Sequence, residues 1–263
     1  MNYRLQLDRV SAAYEGVSVL KDISLVLPDG VFTAIMGANG SGKSTLLKLL
    51  GGAVAPVAGK ILLDGKPVSA LRPRHLARDI AMLPQFPLAP DGIRVAELVM
   101  RGRFPHQTMF RQWSAADRTA VDAAMAQAGV ADLAHRLVST LSGGQRQRVW
   151  IALVLAQDTP ILLLDEPTSF LDIAYQVELM ALLSELSERG RTIVAVLHDI
   201  NQASRHASHL VMLAGGQVIA AGRPDEVVRA ETMRAVFRLE SVIVPDPVTF
   251  TPMVVPSELR RNR

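Results

Sequence analysis

The sequence predicts an α/β fold, a mixed and largely parallel sheet wrapped by helices with an α-helical subdomain inserted into it. Three observations predict it. Short, almost wholly apolar runs recur along the chain, at Val31–Met36, Ile80–Leu83, Ile161–Leu164, Thr192–Leu197 and Leu210–Leu213, as strands covered on both faces require. Helical patterns alternate with them, the signature of an α/β chain. Between Pro87 and Thr159 the strand signal fades into helix.

The helices read in chain order. Ser44–Leu50 stops at Gly51 and Gly52, and Ile173–Arg189 stops at Gly190 with Arg189 on the favourable end of the helix dipole. Val95–Met100, Ala115–Ala128 and Arg146–Gln157 are the clearest pieces of the insert. Before it, Lys60–Leu63, Asp64-Gly65 and Lys66–Val68 read as a hairpin, because Asp-Gly supplies the positive φ angles of a tight turn. Beyond about Glu240, Pro245, Pro247, Pro252 and Pro256 exclude a long helix. The expected organisation is one domain over 1–263, its core from 1–86 and 160–240, the helical subdomain over 87–159 and a C-terminal tail over 241–263.

The bulk composition narrows the function classes. With 263 residues, 49% apolar and 20% charged, the chain has material for a sizeable core. Its apolar runs fall well short of the roughly 18 residues a membrane-spanning helix needs. The start of the chain carries Arg4, Asp8 and Arg9 and does not read as a secretory signal, so a cytosolic location is expected. There is no cysteine, which excludes disulfides and thiolate metal sites. A net charge of +3 is too mild to argue for nucleic acid. The Arg260, Arg261 and Arg263 cluster reads as a solvated end.

Gly37-Ala38-Asn39-Gly40-Ser41-Gly42-Lys43-Ser44-Thr45 follows a predicted strand and opens a predicted helix, the context a P-loop requires. Glycines let successive N–H groups turn inward on phosphate oxygens, and the helix start adds its positive end. Gly37, Asn39, Gly40, Ser41, Gly42 and Thr45 thus build the cradle. Lys43 is expected on the β and γ phosphates and Ser44 on Mg²⁺. The fold class becomes a P-loop NTPase core.

Ile161–Leu164 delivers Asp165 and Glu166 at its C-terminal end, where open α/β sheets place ligands. Asp165 suits the Mg²⁺ shell of a Walker B motif, and Glu166 is the candidate general base or water-positioner. His198 ends the strand Thr192–Leu197, where it is expected to hydrogen-bond the γ phosphate. Gln85 stands at the door of the insert, in reach of Mg²⁺ or the attacking water. Tyr14 lies in an early polar loop, where its ring either stacks on adenine or is merely exposed. His75, His106, His135, His206 and His209 show no metal-ligand spacing.

Leu141-Ser142-Gly143-Gly144-Gln145 carries a capping box between Ser142 and Gln145. Two glycines at a helix start cost about 1 kcal/mol each where they count as helix interior, so their bareness points to a second phosphate-binding surface. Two such loops in separate subdomains do not easily grip one γ phosphate within one copy, and a partner copy is the economical source of the second. Such a loop would parallel an arginine finger given in trans, worth roughly 10³–10⁵ in rate.

With the P-loop, Gln85, Leu-Ser-Gly-Gly-Gln, Asp165-Glu166, Ser169-Phe170-Leu171-Asp172 and His198 in this order, the chain resembles the ATP-binding cassette family from about Tyr3 to about Pro252. Within it the chain looks most like the ATP-binding subunits of ferric-siderophore and vitamin B12 importers, through Leu83-Pro84-Gln85, Arg101-Gly102-Arg103-Phe104-Pro105-His106, Leu155-Ala156-Gln157 and Val196 to Ala203. Ala38 replaces a proline that many relatives carry.

The resemblance implies ATP and Mg²⁺ as cofactors and a head-to-tail homodimer in which Ser142 and Gly144 of one copy meet the γ phosphate held by Lys43 of the other. It also implies two transmembrane permease subunits moved through Gln85 and the insert, and a periplasmic or surface binding protein acting indirectly. The expected location is peripheral, on the cytoplasmic face of the inner membrane. The stretch of Arg101, Arg103, Phe104, Phe110, Arg111 and Trp113 suits permease docking better than nucleic acid. The alternatives are a soluble mechanical ATPase of DNA repair or translation, whose coiled-coil insertions or tandem cassettes this chain lacks, and the ATPase of an exporter.

Overall fold

The computed structural model describes residues 3–107 and 113–257. In chain order the strands are β1 (Tyr3–Tyr14), β2 (Val17–Pro28), β3 (Phe32–Gly37), β4 (Ala58–Leu63), β5 (Lys66–Pro67), β6 (Ile80–Leu83), β7 (Ile161–Asp165), β8 (Thr192–Val196), β9 (His209–Ala214), β10 (Gln217–Gly222), β11 (Ser241–Pro245) and β12 (Pro252–Pro256). The helices are α1 (Lys43–Leu50), α2 (Pro73–Asp79), α3 (Val95–Met100), α4 (Ala115–Gln127), α5 (Gly143–Ala156), α6 (Ile173–Glu188), α7 (Ile200–His206), α8 (Pro224–Val227) and α9 (Ala230–Phe237).

The central sheet runs β10-β9-β3-β8-β7-β6. Its five strands β9, β3, β8, β7 and β6 are parallel, and β10 joins β9 antiparallel. Every residue of β3, β7 and β8 is buried, which is why these runs show no polar face in the sequence. Alternate side chains serve two cores. Ile35, Leu163, Val194 and Val196 pack with Leu46, Leu47 and Leu50 of α1 and with Leu5, Leu7 and Leu27 of the first sheet. Ala34, Met36, Leu162, Leu164 and Ala195 face the other way, among Leu98, Val121, Met125, Ile151 and Met180 of the helices.

The first sheet, ordered β2-β1-β4-β5, is antiparallel. Its β4–β5 turn has Asp64 at φ 50° and Gly65 at φ 75°, the two positive angles that the dipeptide anticipates. Between β6 and β7 the described residues form helices α3, α4 and α5 with short 3₁₀ turns. Among the described residues no helix is long and apolar enough to cross a membrane.

Two features were not anticipated in the sequence. The tail beyond Glu240 contains an antiparallel hairpin, β11 with β12, in which Pro245 pairs with Pro252 and Ser241 with Pro256. Its prolines sit at the strand ends, where no ladder donor is missed. The hairpin is fastened to α7 by Asn201, whose Nδ2 donates to the Val254 carbonyl at 3.2 Å while its Oδ1 accepts from the Val254 N–H at 2.8 Å.

The second is Arg103, expected on a docking surface. It is buried, its Nε donating to Asp117 Oδ1 at 2.9 Å and its Nη1 to the Ala156 carbonyl at 2.8 Å. It therefore ties the 3₁₀ turn after α3 to α4 and α5. Trp113 also packs against the core, while Arg101 and Phe104 stay exposed. Phe110 and Arg111, with Arg260, Arg261 and Arg263, lie outside the described residues.

Candidate functional site

Parallel register brings four strand ends to one rim. Ile35 stands opposite Val196, Leu83 opposite Leu164, and Asp165 opposite Val196, so residues just past these pairs leave the sheet side by side. They enclose a cleft of about 560 Å³ walled by the 39–45 loop, Gln85, Glu166 and His198, with Val19 of β2 on its side.

The loop's shape needs glycine at two points. A Cβ on Gly37, at φ 155°, would lie 2.3 Å from the Leu213 carbonyl oxygen of the neighbouring strand. Gly42 caps α1 at φ 100°, the left-handed region that other residues enter only under strain. The Lys43 ammonium folds over this loop and donates to the Gly37 and Ala38 carbonyls at 2.9 and 3.0 Å. Burial lowers its pKa, and the Glu166 and Asp165 charges pull the other way. Ser41 is buried with a hydroxyl that has no partner among the described residues.

At the end of β7, Oδ1 of Asp165 accepts from Ser44 Oγ at 3.0 Å. Oδ2 is buried and has no hydrogen-bond partner among the described residues. Burial pushes the Asp165 pKa up, with the Ser44 hydrogen bond opposing and the Glu166 charge assisting. A buried carboxylate oxygen left without a partner is expensive, and the next-door hydroxyl makes the pair a hard-oxygen set suited to Mg²⁺.

Glu166 sits at φ 52°, a left-handed backbone that costs on the order of 1–3 kcal/mol in a non-glycine residue and that its surroundings must hold. Its Oε1 lies 2.7 Å from His198 Nε2, and its Oε2 accepts from Ser169 Oγ at 3.2 Å. Burial works to raise its pKa, but the hydrogen bonds from His198, Gln85 and Ser169 prevail and hold it below the usual carboxylate range. The carboxylate is thus kept ionised beside the Lys43 ammonium, the state a proton acceptor needs.

Of the residues singled out in sequence, the 39–45 loop, Gln85, Glu166 and His198 meet at this cleft, with Asp165 behind Ser44. The others stand elsewhere. Tyr14 ends β1, is 42% exposed and does not line the cleft. Ser142 caps α5 as its sequence anticipates: its Oγ accepts from the Gln145 N–H at 3.2 Å and its N–H donates to Gln145 Oε1 at 3.1 Å. Gly143 and Gly144 form the first turn of that helix against Phe170, whose carbonyl oxygen would lie 3.2 Å from a Cβ on Gly144. Part of the need for small residues there arises within one chain.

Val19 on the cleft wall was not legible in the sequence, where it is one valine among many. The role of Ser169 as a third donor to Glu166 was equally hidden, although its spacing of three residues is that of a tight turn.

Comparison with known proteins follows the same residues. The ABC transporter family model matches residues 20–169, a span holding the P-loop, Gln85, the Ser142 segment, Asp165 and Glu166. The ferric enterobactin transport ATP-binding protein FepC of Escherichia coli (strain K12) is 48% identical over 254 residues, covering 96% of this chain and 94% of its own. A chain from a structure reported as an inward-facing metal-chelate type ABC transporter superposes with a TM-score of 0.82 at 30% identity, covering 98% of both chains. The dimeric structure of the bacterial ABC transporter cassette MJ0796 gives a TM-score of 0.76 at 32% identity, covering 83% of this chain and 98% of that one. Likeness of this extent, over the segments that build the cleft, makes the chain a member of the ABC transporter family.

Proposed function

We propose that this chain is the ATP-hydrolysing motor subunit of an importer whose cargo is a ferric siderophore, or a haem- or cobalamin-type chelate of similar character. It works as a homodimer beneath two separate permease subunits, peripheral to the cytoplasmic face of the inner membrane, and a periplasmic or surface binding protein supplies the cargo indirectly. The cargo class rests on relatives such as FepC, named for ferric enterobactin transport. The dimer is supported by the solved dimeric cassette.

The observation that carries the chemistry is the Glu166 carboxylate, held ionised by His198 and Gln85 on a cleft shared with Lys43. In this reading the backbone of the loop from Gly37 to Thr45 cradles the phosphates, and Lys43 leaves its two carbonyls to reach the β and γ groups. Ser44, Asp165 and Gln85 hold Mg²⁺, which supplies neutralising charge at the phosphate oxygens. Glu166 orients the attacking water and accepts its proton, and His198 reports the γ phosphate. Tyr14, exposed at the end of β1 and outside the cleft, offers its ring to adenine beyond the phosphates. Ser142, Gly143, Gly144 and Gln145 of the second copy close the site from the opposite side. Segment 87–159 carries that closure to the permease, with Arg101 and Phe104 on the docking face.

The test is uptake. In cells lacking their own siderophore-transport ATPase, this chain together with its permease should restore ATP-dependent entry of an iron-labelled siderophore. Failure with ferric siderophores, haem and cobalamin alike would contradict the cargo class.

A further inference from the structure

The turn that follows Glu166 is gripped by an amide from another helix. Gln147 lies on the buried stripe of α5 with Ile151, Val154 and Leu155, positions spaced for one helix face. A buried amide on such a stripe is costly unless it finds partners. The Gln147 Nε2 donates to the Pro167 carbonyl at 3.1 Å, and both residues are buried.

Pro167 is the residue after Glu166. The turn is closed by the Ser169 N–H donating to the Glu166 carbonyl at 3.1 Å, so the Pro167 carbonyl belongs to the central peptide plane. The orientation of that plane is what separates the main turn types. Farther along, Gln176 of α6 holds the Thr168 and Leu171 carbonyls at 3.3 and 3.0 Å. Among the described hydrogen bonds, Gln147 is the one side-chain link to the Pro167 carbonyl, next to the strained Glu166 backbone.

We propose that Gln147 is a positioning residue for hydrolysis, coupling the helix that begins at Ser142 to the placement of the Glu166 carboxylate. Gln147 sits about one helical turn into α5. When the Ser142 end engages nucleotide and α5 tilts, the amide carries the Pro167 peptide with it and turns the backbone from which Glu166 projects. Engagement of one loop thereby sets the aim of the carboxylate on the same chain. This inference rests on the roles given above to Ser142 and Glu166.

The experiment compares Gln147→Met, of similar length but without a donor, with Gln147→Asn and Glu166→Gln on the purified full chain. ATP turnover, ATP affinity and the melting temperature are read for each. Losing this hydrogen bond should lower kcat roughly tenfold while ATP affinity stays within about twofold of the parent. Gln147→Asn, one methylene short, should also lose turnover, and it serves if Gln147→Met does not fold. A parental kcat in either folded variant overturns the proposal, as does a loss of kcat matched by an equal loss of ATP affinity, which marks a purely structural role. Full turnover by Glu166→Gln would instead remove the reading on which the proposal stands.

Discussion

His198 Nε2 lies 2.7 Å from Glu166 Oε1, and this contact is a product of sheet register. Strands β7 and β8 run parallel with Asp165 opposite Val196, so the first residue past one strand and the second past the other emerge as neighbours. A slip of one residue would turn each side chain to the opposite face and part them. Both strands are buried on both faces, so the fit of their alternate side chains into the two cores holds the register and with it this contact.

Glu166→Gln should bind ATP but hydrolyse it more slowly, by on the order of 10²–10⁴-fold if the carboxylate accepts the proton from water. Single-turnover hydrolysis measured beside ATP binding checks this. Unimpaired turnover would remove Glu166 from the role.

Gly143 and Gly144 should respond differently to alanine. A Cβ on Gly143 meets Phe170 Cβ at 3.5 Å, an ordinary contact, whereas one on Gly144 meets the Phe170 carbonyl oxygen at 3.2 Å. Alanine favours helix over glycine by up to about 1 kcal/mol. Gly143→Ala should therefore gain some of this stability and Gly144→Ala should not, as read by urea denaturation. Equal gains would show that the Phe170 loop yields freely.

Much of this site was legible in the sequence because its signals are local. Strands β3, β6, β7 and β8 are almost wholly apolar runs; β3 ends on Gly37, and the other three are followed within two residues by Gln85, Glu166 or His198. What was not legible depends on contacts between distant segments. Nothing near Arg103 in sequence reveals that Asp117 and the Ala156 carbonyl will enclose it. The β11–β12 hairpin was hidden because its prolines signal only the absence of helix, and its anchor, Asn201, lies on a helix far upstream. Gln147 left a trace, a polar residue on an apolar stripe, but its partner is the backbone of Pro167.

Arg103→Ala should destabilise the fold by about 3–5 kcal/mol, the usual penalty for stranding one member of a buried ion pair. Asp117 is held below the ordinary carboxylate range first by the Ser114 hydroxyl and also by Arg103, so it would stay buried and charged. Phe104→Ala, next in sequence but 59% exposed, should change stability by only about 0.5 kcal/mol or less. Denaturant melts of both variants check the contrast, and equal effects would contradict the burial of Arg103.

Asp246 should make the hairpin acid-sensitive. Its Oδ1 accepts from the Val248 and Thr249 N–H groups and its Oδ2 from Arg205, which bring its pKa from 3.8 down to about 2. A carboxylate with a depressed pKa in the folded state stabilises fully above its unfolded value, and that contribution is lost as pH falls through the folded one. Stability from Asp246 should thus drain away as pH drops from about 4 to about 2. Thermal melts of the parent and of Asp246→Asn should differ at neutral pH and converge near the acid end. A constant gap between them would contradict the linkage.

The central claim is that one γ phosphate is gripped by Lys43 of one copy and the Ser142 helix end of another. Mixing a Ser142→Arg chain with a Lys43→Ala chain tests it most directly, because their heterodimer keeps one composite site with both halves intact. ATP-dependent association, read by light scattering, should be absent from each variant alone and return in the mixture. A mixture that associates no better than its separate components would contradict the shared site.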